Sequence, residues 1–283
     1  MNFNLSALLS LIRPINSFMI GLAVIVGIAI GSPDMLFSRL SVYGFLTGFS
    51  ISSYSMIIND VYDIEIDKVN QPERPLAKQI ISVNSALSLS LILLLIGLTC
   101  SLFISNYNLI ITVIFSFLSW FYNIWGKKQG LIGNSIVASS MSIPFIFGGI
   151  ITGNISLLVW SISLIAFLSG MGREIIKTIA DVEGDKTKGI RSVSIQFGSR
   201  NAMIIACGFI LVSIIISFIP IYFNLIQIYY IPLLILTDLI LLYSVLMLSR
   251  NYSKSESLKI KKFILYAMLF GLITFLANSI VVW

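Results

Sequence analysis

An all-α integral membrane protein is the fold this sequence predicts, on three observations. Of 283 residues, 57% are hydrophobic and only 11% are charged, with a mean hydropathy of +0.99. The apolar residues gather in nine runs of membrane-crossing length. The basic residues gather in alternate loops between those runs.

Composition comes first, because it sets the solvent. A soluble domain carries about 25% charged residues. A chain this apolar cannot hide its surface from water by folding alone, so the bilayer is its main solvent. The net charge of +6 does not point to nucleic acid, since the positive residues sit in short loops between apolar runs. There is no histidine, which excludes a histidine base and any histidine-ligated metal. Cys100 and Cys207 lie in apolar stretches and read as packing residues.

The expected spans are 15–31, 40–58, 83–104, 107–125, 131–150, 155–174, 201–221, 228–249 and 262–282. Each is near the roughly 20 residues that a helix needs to cross the hydrocarbon. Lipid offers no partner to an open backbone, so continuous apolar runs of this length read as helices. The first run, Ile15 to Gly31, follows Arg13 and lacks a small-residue cleavage site, so a retained helix is expected.

Orientation follows from the loops. The N-terminal segment and the loops at 59–82, 126–130, 173–200 and 250–261, with Lys262 at their edge, hold 17 of the 18 basic residues, all but Arg39. The positive-inside rule makes that side cytoplasmic. The N-terminus is then inside, and Trp283, after nine crossings, is outside. The outer loops are short and nearly uncharged, so the chemistry is expected at the two long cytoplasmic loops, about 59–82 and 173–200. The whole chain, 1–283, reads as a single transmembrane domain.

A weak internal repeat accompanies this pattern. One Asp motif follows the second span and another follows the sixth, four helices later. Asn16 early in the first span is echoed by Asn134 early in the fifth. Two four-helix halves plus a ninth helix are expected, an arrangement that commonly places a site between the halves.

The first motif runs Asn59-Asp60-Val61-Tyr62-Asp63-Ile64-Glu65-Ile66-Asp67. Asp60, Asp63 and Asp67 share one face of a helix. Three carboxylates on one stripe repel one another unless a cation neutralises them. Oxygen ligands without His or Cys suit Mg²⁺ or Mn²⁺. The second motif is Asp181-Val182-Glu183-Gly184-Asp185, with Glu174 seven residues before it. Arg173, Lys177, Lys186, Lys188 and Arg191 surround it. Carboxylates for metal and cations for phosphate oxygens are what a metal-diphosphate site requires. The bland reading is a solvated charged loop. It fits poorly, because nine of the twelve acids of the chain fall in these two regions.

These residues carry a resemblance. Asn59-Asp60-x-x-Asp63-x-x-x-Asp67, followed by Asn70-x-Pro72-x-Arg74-Pro75, resembles the first signature of the UbiA-type intramembrane prenyltransferases. Asp181-x-x-x-Asp185 resembles their second signature. Arg13-Pro14-x-Asn16 and Tyr122-x-x-x-x-Lys127 with Gly133-Asn134 are similar to further shared elements. The resemblance implies nine helices around a central cavity, with both Asp motifs at its cytoplasmic mouth binding Mg²⁺ and a prenyl diphosphate. It implies catalytic and metal-holding roles for Asp60, Asp63, Asp67, Asp181 and Asp185. Asn59 would support the first metal. Arg74, Lys127, Lys177 and Lys186 would bind the diphosphate, and Asn16 and Tyr122 would touch substrate near the reacting carbon. For Asn16 a helix–helix hydrogen bond, and for Tyr122 an interfacial anchor, are the competing readings.

Within that family, Arg173-Glu174-x-x-Lys177-x-x-x-Asp181-x-Glu183-Gly184-Asp185 resembles the archaeal branch. That branch transfers a geranylgeranyl group from its diphosphate to geranylgeranylglyceryl phosphate, forming an ether lipid. Thr178 and Ala180 stand where further acids are expected, and Ala77-Lys78-Gln79 replaces a small-residue turn. The partners implied are a prenyl diphosphate, a lipid-like alcohol acceptor and membrane lipid, with no nucleic acid or protein partner. The alternatives are an aromatic or tetrapyrrole acceptor (quinone, haem or chlorophyll type) and, from another class, a transporter. A transporter usually keeps its polar residues at the midplane. Here the acids cluster at one membrane face and only Asp238 lies deep in a span. A CDP-alcohol phosphotransferase is disfavoured because its Gly- and Arg-containing spacing is missing.

Overall fold

The computed structural model describes residues 5–187 and 189–280. The expectations for Lys188 and Trp283 lie outside the described residues.

A short helix α1 (Leu5–Ile12) precedes α2 (Pro14–Gly31) and α3 (Arg39–Tyr62). Another short helix, α4 (Ile64–Asn70), follows. Next come α5 (Val83–Leu102), α6 (Asn106–Ile124), α7 (Leu131–Thr152) and α8 (Leu157–Ala180). After the small α9 (Val182–Thr187), the chain closes with α10 (Val193–Tyr222), α11 (Ile231–Arg250) and α12 (Lys254–Ile280). Serine fixes several starts: Ser38, Ser82, Ser105 and Ser156 each accept the N–H three residues on, satisfying one orphan donor. Helix α10 is broken near its start by Gly198, whose φ of 80° lies where only glycine sits without strain.

Eight of the described helices are long and apolar enough to cross a membrane. The expected second span is also one helix, α3, but Ser, Thr, Asn and Asp residues take it below the same measure of hydropathy. Its 24 residues reach roughly 36 Å, which exceeds the hydrocarbon thickness. Its polar side chains turn inward: Thr47, Ser50, Ser53 and Asp60 are all buried.

The expected repeat is visible in the backbone. Helices α3 and α8 are each 24 residues long. Each ends at an Asp with matching torsions, Asp63 at φ −97°, ψ 5° and Asp181 at φ −99°, ψ 5°. Each Asp donates its N–H to the carbonyl four residues back. A helix of six or seven residues then follows. Thus α2, α3, α5 and α6 form one half, α7, α8, α10 and α11 the other, and α12 is the extra helix.

The halves meet where α2 crosses α7. A Cβ on Gly27 would stand 2.2 Å from the Phe145 carbonyl oxygen, and one on Gly148 2.3 Å from that of Val24. Small residues let two backbones touch, which is how helices associate in lipid. Helix α8 packs on α7, α10 and α12 and is the most enclosed span, with 67% of its spanning window buried against 17% for α6. Large side chains such as Ile110, Phe117, Ile215 and Leu239 face outward, as a lipid-facing surface requires.

Candidate active site

A cavity of about 600 Å³ opens between the halves. Its depth is largely apolar, walled by Ile20, Val24, Phe115, Met141, Phe145, Leu234 and Phe275, with Asp238, which accepts a hydrogen bond from Ser217 at 2.7 Å, as the one carboxyl among them. Its mouth is charged, with Arg13, Asn59, Asp60, Arg74, Arg173, Glu174, Lys177 and Lys261 in the wall.

The first motif is built around a kink. Helix α3 ends at Tyr62, Asp63 caps it, and α4 restarts at Ile64. The continuous helical stripe expected of Asp60, Asp63 and Asp67 is therefore interrupted, yet all three carboxylates remain buried, at 2%, 5% and 4% exposure. The Arg74 guanidinium bridges the break. Its Nη1 donates to Asp60 Oδ1 at 2.8 Å and to Asp67 Oδ2 at 2.6 Å, and its Nε donates to Gln71 Oε1 at 3.0 Å. Arg13 also bonds Asp60, and Lys127 bonds Asp63. Asn59 Nδ2 donates to Asp63 Oδ2 at 2.9 Å.

The second motif docks onto the first through Asn70. Its Nδ2 donates to the Asp181 carbonyl and its Oδ1 accepts the Gly184 N–H, both at 3.2 Å. A Cβ on Gly184 would stand 2.3 Å from Asn70 Nδ2, so glycine is required for this approach. Asp185 is buried and Asp181 half-buried. Burial raises the Asp185 carboxyl to about 6, with Lys127 drawing it back down. Burial likewise raises Asp67 to about 6 against the pull of Arg74. Lys127 therefore lies in the field of both motifs.

Metal fit can be judged from these groups. Among the described residues, no three carboxylates converge into a ready-made cage. Mg²⁺ does not need one, because it takes one or two carboxylates and completes its shell with phosphate oxygens and water. Buried carboxylates raised toward neutrality by desolvation are groups that a cation would stabilise. The donor set is all oxygen, so the residues fit Mg²⁺.

The fold and this mouth agree with a known group. The model of the UbiA prenyltransferase family matches residues 20–277. The chain belongs to the UbiA prenyltransferase family. Two relatives named digeranylgeranylglyceryl phosphate synthase illustrate the likeness. That of Methanocaldococcus jannaschii is 34% identical, covering 98% of this chain and 97% of its own length. That of Methanosphaera stadtmanae is 32% identical, covering 96% and 98%. A solved structure of digeranylgeranylglyceryl phosphate synthase superposes with a TM-score of 0.75 at 34% identity, covering 98% of each chain. A UbiA homolog from Archaeoglobus fulgidus, bound to DMAPP and Mg²⁺, matches with a TM-score of 0.73 at 21% identity, covering 98% and 99%. At that identity the likeness concerns the UbiA fold.

The UbiA chain brings most of the expected residues together, though not all into the cavity. Asn16, Asn59, Asp60, Arg74, Tyr122 and Lys177 are in its wall. Asp63, Asp67, Asp181, Asp185 and Lys127 are not; Asp63, Asp67 and Lys127 are engaged in the pairs above. Lys186 is exposed on α9, outside the wall. Sequence reasoning placed Arg13 and Asn70 in shared motifs and Arg173 among the cations around the second Asp motif, naming no contact for any of them, and gave Lys261 no site role. The contact of Arg13 with Asp60 was not legible, because it comes with a left-handed backbone at φ 45°, ψ 68°. Lys261 carried a signal: it heads the stripe Leu265, Met268, Leu272 and Phe275, all of which line the cavity.

Proposed function

We propose that this protein transfers a geranylgeranyl group from geranylgeranyl diphosphate to geranylgeranylglyceryl phosphate, in a Mg²⁺-dependent reaction that forms an ether lipid and releases diphosphate. One observation carries the reading: a single cavity joins a buried Asp/Arg/Lys rim to an apolar interior. Diphosphate and prenyl chain need those two environments in one molecule. The kinship with archaeal digeranylgeranylglyceryl phosphate synthases over nearly the whole chain supports the choice of acceptor.

In this reading Asp60, Asp63 and Asp67 would hold one Mg²⁺, with Asn59 orienting Asp63, and Asp181 and Asp185 would hold another. Bound Mg²⁺ would neutralise the diphosphate as negative charge develops on it. Arg74 and Lys127 leave their carboxylates for phosphate oxygens, joined by Lys177 and, at the rim, Lys186. The C1–O bond of the donor breaks and its electron pair leaves with the diphosphate. The acceptor hydroxyl oxygen forms the new bond to C1, and its proton passes to the released diphosphate. Asn16 and Tyr122 face this carbon, and the apolar wall below keeps water from trapping the allylic cation.

The mouth opens to the cytoplasm in this reading. The N-terminus is inside and the C-terminus outside, with α3 as a ninth crossing and 1–283 as one domain. The basic loops support that orientation.

The test supplies detergent-purified protein with Mg²⁺ and radiolabelled geranylgeranyl diphosphate. Parallel reactions contain geranylgeranylglyceryl phosphate, 4-hydroxybenzoate or no acceptor, each beside Asp63→Ala and Asp181→Ala proteins. A labelled diether phosphate, lost in both variants, is expected. Product with the aromatic acid alone would replace the acceptor and keep the site. Full Mg²⁺-dependent activity in either variant would refute the metal assignment.

A further inference from the structure

The cavity mouth carries more positive charge than a diphosphate site uses. Arg13, Arg74 and Lys127 already serve the first Asp motif. A separate basic wall is formed by Arg173 and Lys177 on α8 with Lys261 and Lys262 on α12. The carboxylates that face Lys261 are Glu174 and Asp181. Glu174 is already shared, taking Arg173 Nη1 at 2.8 Å and facing Lys177 Nζ at 3.7 Å. With Lys177 assigned to the diphosphate, Arg173, Lys261 and Lys262 remain against these two carboxylates, a surplus of one.

A second observation shows where the surplus points. Arg173 Nε is buried and has no hydrogen-bond partner. Buried polar atoms are rarely left so. Arg173 and Lys261 also stand at the head of largely apolar tracks, in which the Ser169 hydroxyl is spent on the Ile165 carbonyl. Ser169, Ala166 and Ile162 descend from Arg173 on the cavity face of α8, and the Leu265 to Phe275 stripe descends from Lys261 on α12. A dianionic head over an apolar track has the form of a lipid phosphate monoester. Helix α12 packs on α8 and α2, whereas α3, which carries Asp60, packs on α2, α5 and α6. The two basic regions therefore belong to different helices.

We propose that Arg173, Lys261 and Lys262 form a second anion subsite, which binds the phosphate of the lipid acceptor and lays its chain along α12. This rests on the reaction proposed above and names the part of the cavity that selects a phosphorylated acceptor. Guanidinium and ammonium donors bind a phosphate dianion more tightly than its uncharged alcohol, so the subsite is read by comparing the two.

The experiment measures transfer to geranylgeranylglyceryl phosphate and to unphosphorylated geranylgeranylglycerol, and equilibrium binding of each without donor. The unaltered protein is expected to favour the phosphate form. Lys261→Gln is expected to raise the acceptor KM and Kd roughly tenfold and to shrink that preference, with the donor KM unchanged. Lys261→Arg is expected to restore most of it. Arg173→Lys, which retains charge but loses Nε, is expected to fall between, and thermal melts confirm folding of each. An undiminished preference in Lys261→Gln, or an equal rise in donor KM, overturns the subsite. If unaltered protein transfers to another acceptor but not to geranylgeranylglyceryl phosphate, the underlying reaction fails instead.

Discussion

Asn70 is neither acidic nor basic, yet it joins the two charged loops. Both arms of its amide are used on the backbone of the second motif. Asn70→Ala would strand a buried N–H and a carbonyl, at roughly 1–3 kcal/mol. The expected outcome is a fall in kcat/KM of more than tenfold with the helical circular dichroism unchanged. Gly184→Ala should do the same, because its Cβ needs the space of the Asn70 amide. Normal activity in both would mean that the loops hold their positions without this bridge. Titration gives a second expectation. Asp67 and Asp185, both raised by burial to about 6, are neutral below that pH and compete poorly for a cation there. Their raised values also mean that, without metal, these groups favour the folded state at low pH and lose that effect as pH rises from about 4 through about 6. The rise in melting temperature on adding Mg²⁺ should therefore be largest above pH 7 and fade below about 6. A metal-induced rise of the same size at pH 5 and 7.5 would show that neither carboxyl serves the metal.

At the scale of elements, the crossing of α2 and α7 is the tightest joint. Gly27 and Gly148 admit no side chain there. Gly148→Val should force the helices apart and lower stability by about 1–3 kcal/mol, read as a lower melting temperature in detergent. An unshifted melting temperature would place the joint elsewhere. The long helices were legible because apolar runs in lipid have one backbone solution, and the repeat was legible from the placing of two Asp motifs. The kink at Asp63 was hidden, since Asp63 and Ile64 carry no glycine or proline to mark it. The role of Arg13 was hidden for a related reason. Pro14 marks a break after Arg13, but a proline pushes its predecessor toward extended backbone and does not announce a left-handed one. Lys261 was masked by the positive-inside pattern, which accounts for basic loops so well that this cavity residue passed as topology. Helical spacing down α12 separates Lys261 from its neighbours and could have found it.

At the scale of the molecule, the cavity sets the logic. Its charged rim and apolar depth are one continuous space, walled by helices from both halves. Orientation is tested by single cysteines placed in a protein lacking Cys100 and Cys207. Ser253→Cys, in the exposed loop beside Arg250, should react with a membrane-impermeant maleimide only after cells are opened, and Asn154→Cys should react in intact cells. The reverse pattern would invert the topology. The apolar depth has a kinetic meaning too. Substrate chains that pass from bilayer to cavity never cross bulk water, so their relevant concentration is a surface mole fraction. Adding inert lipid at constant volume should slow turnover by two-dimensional dilution, whereas adding buffer at a constant lipid-to-acceptor ratio should leave the turnover number unchanged.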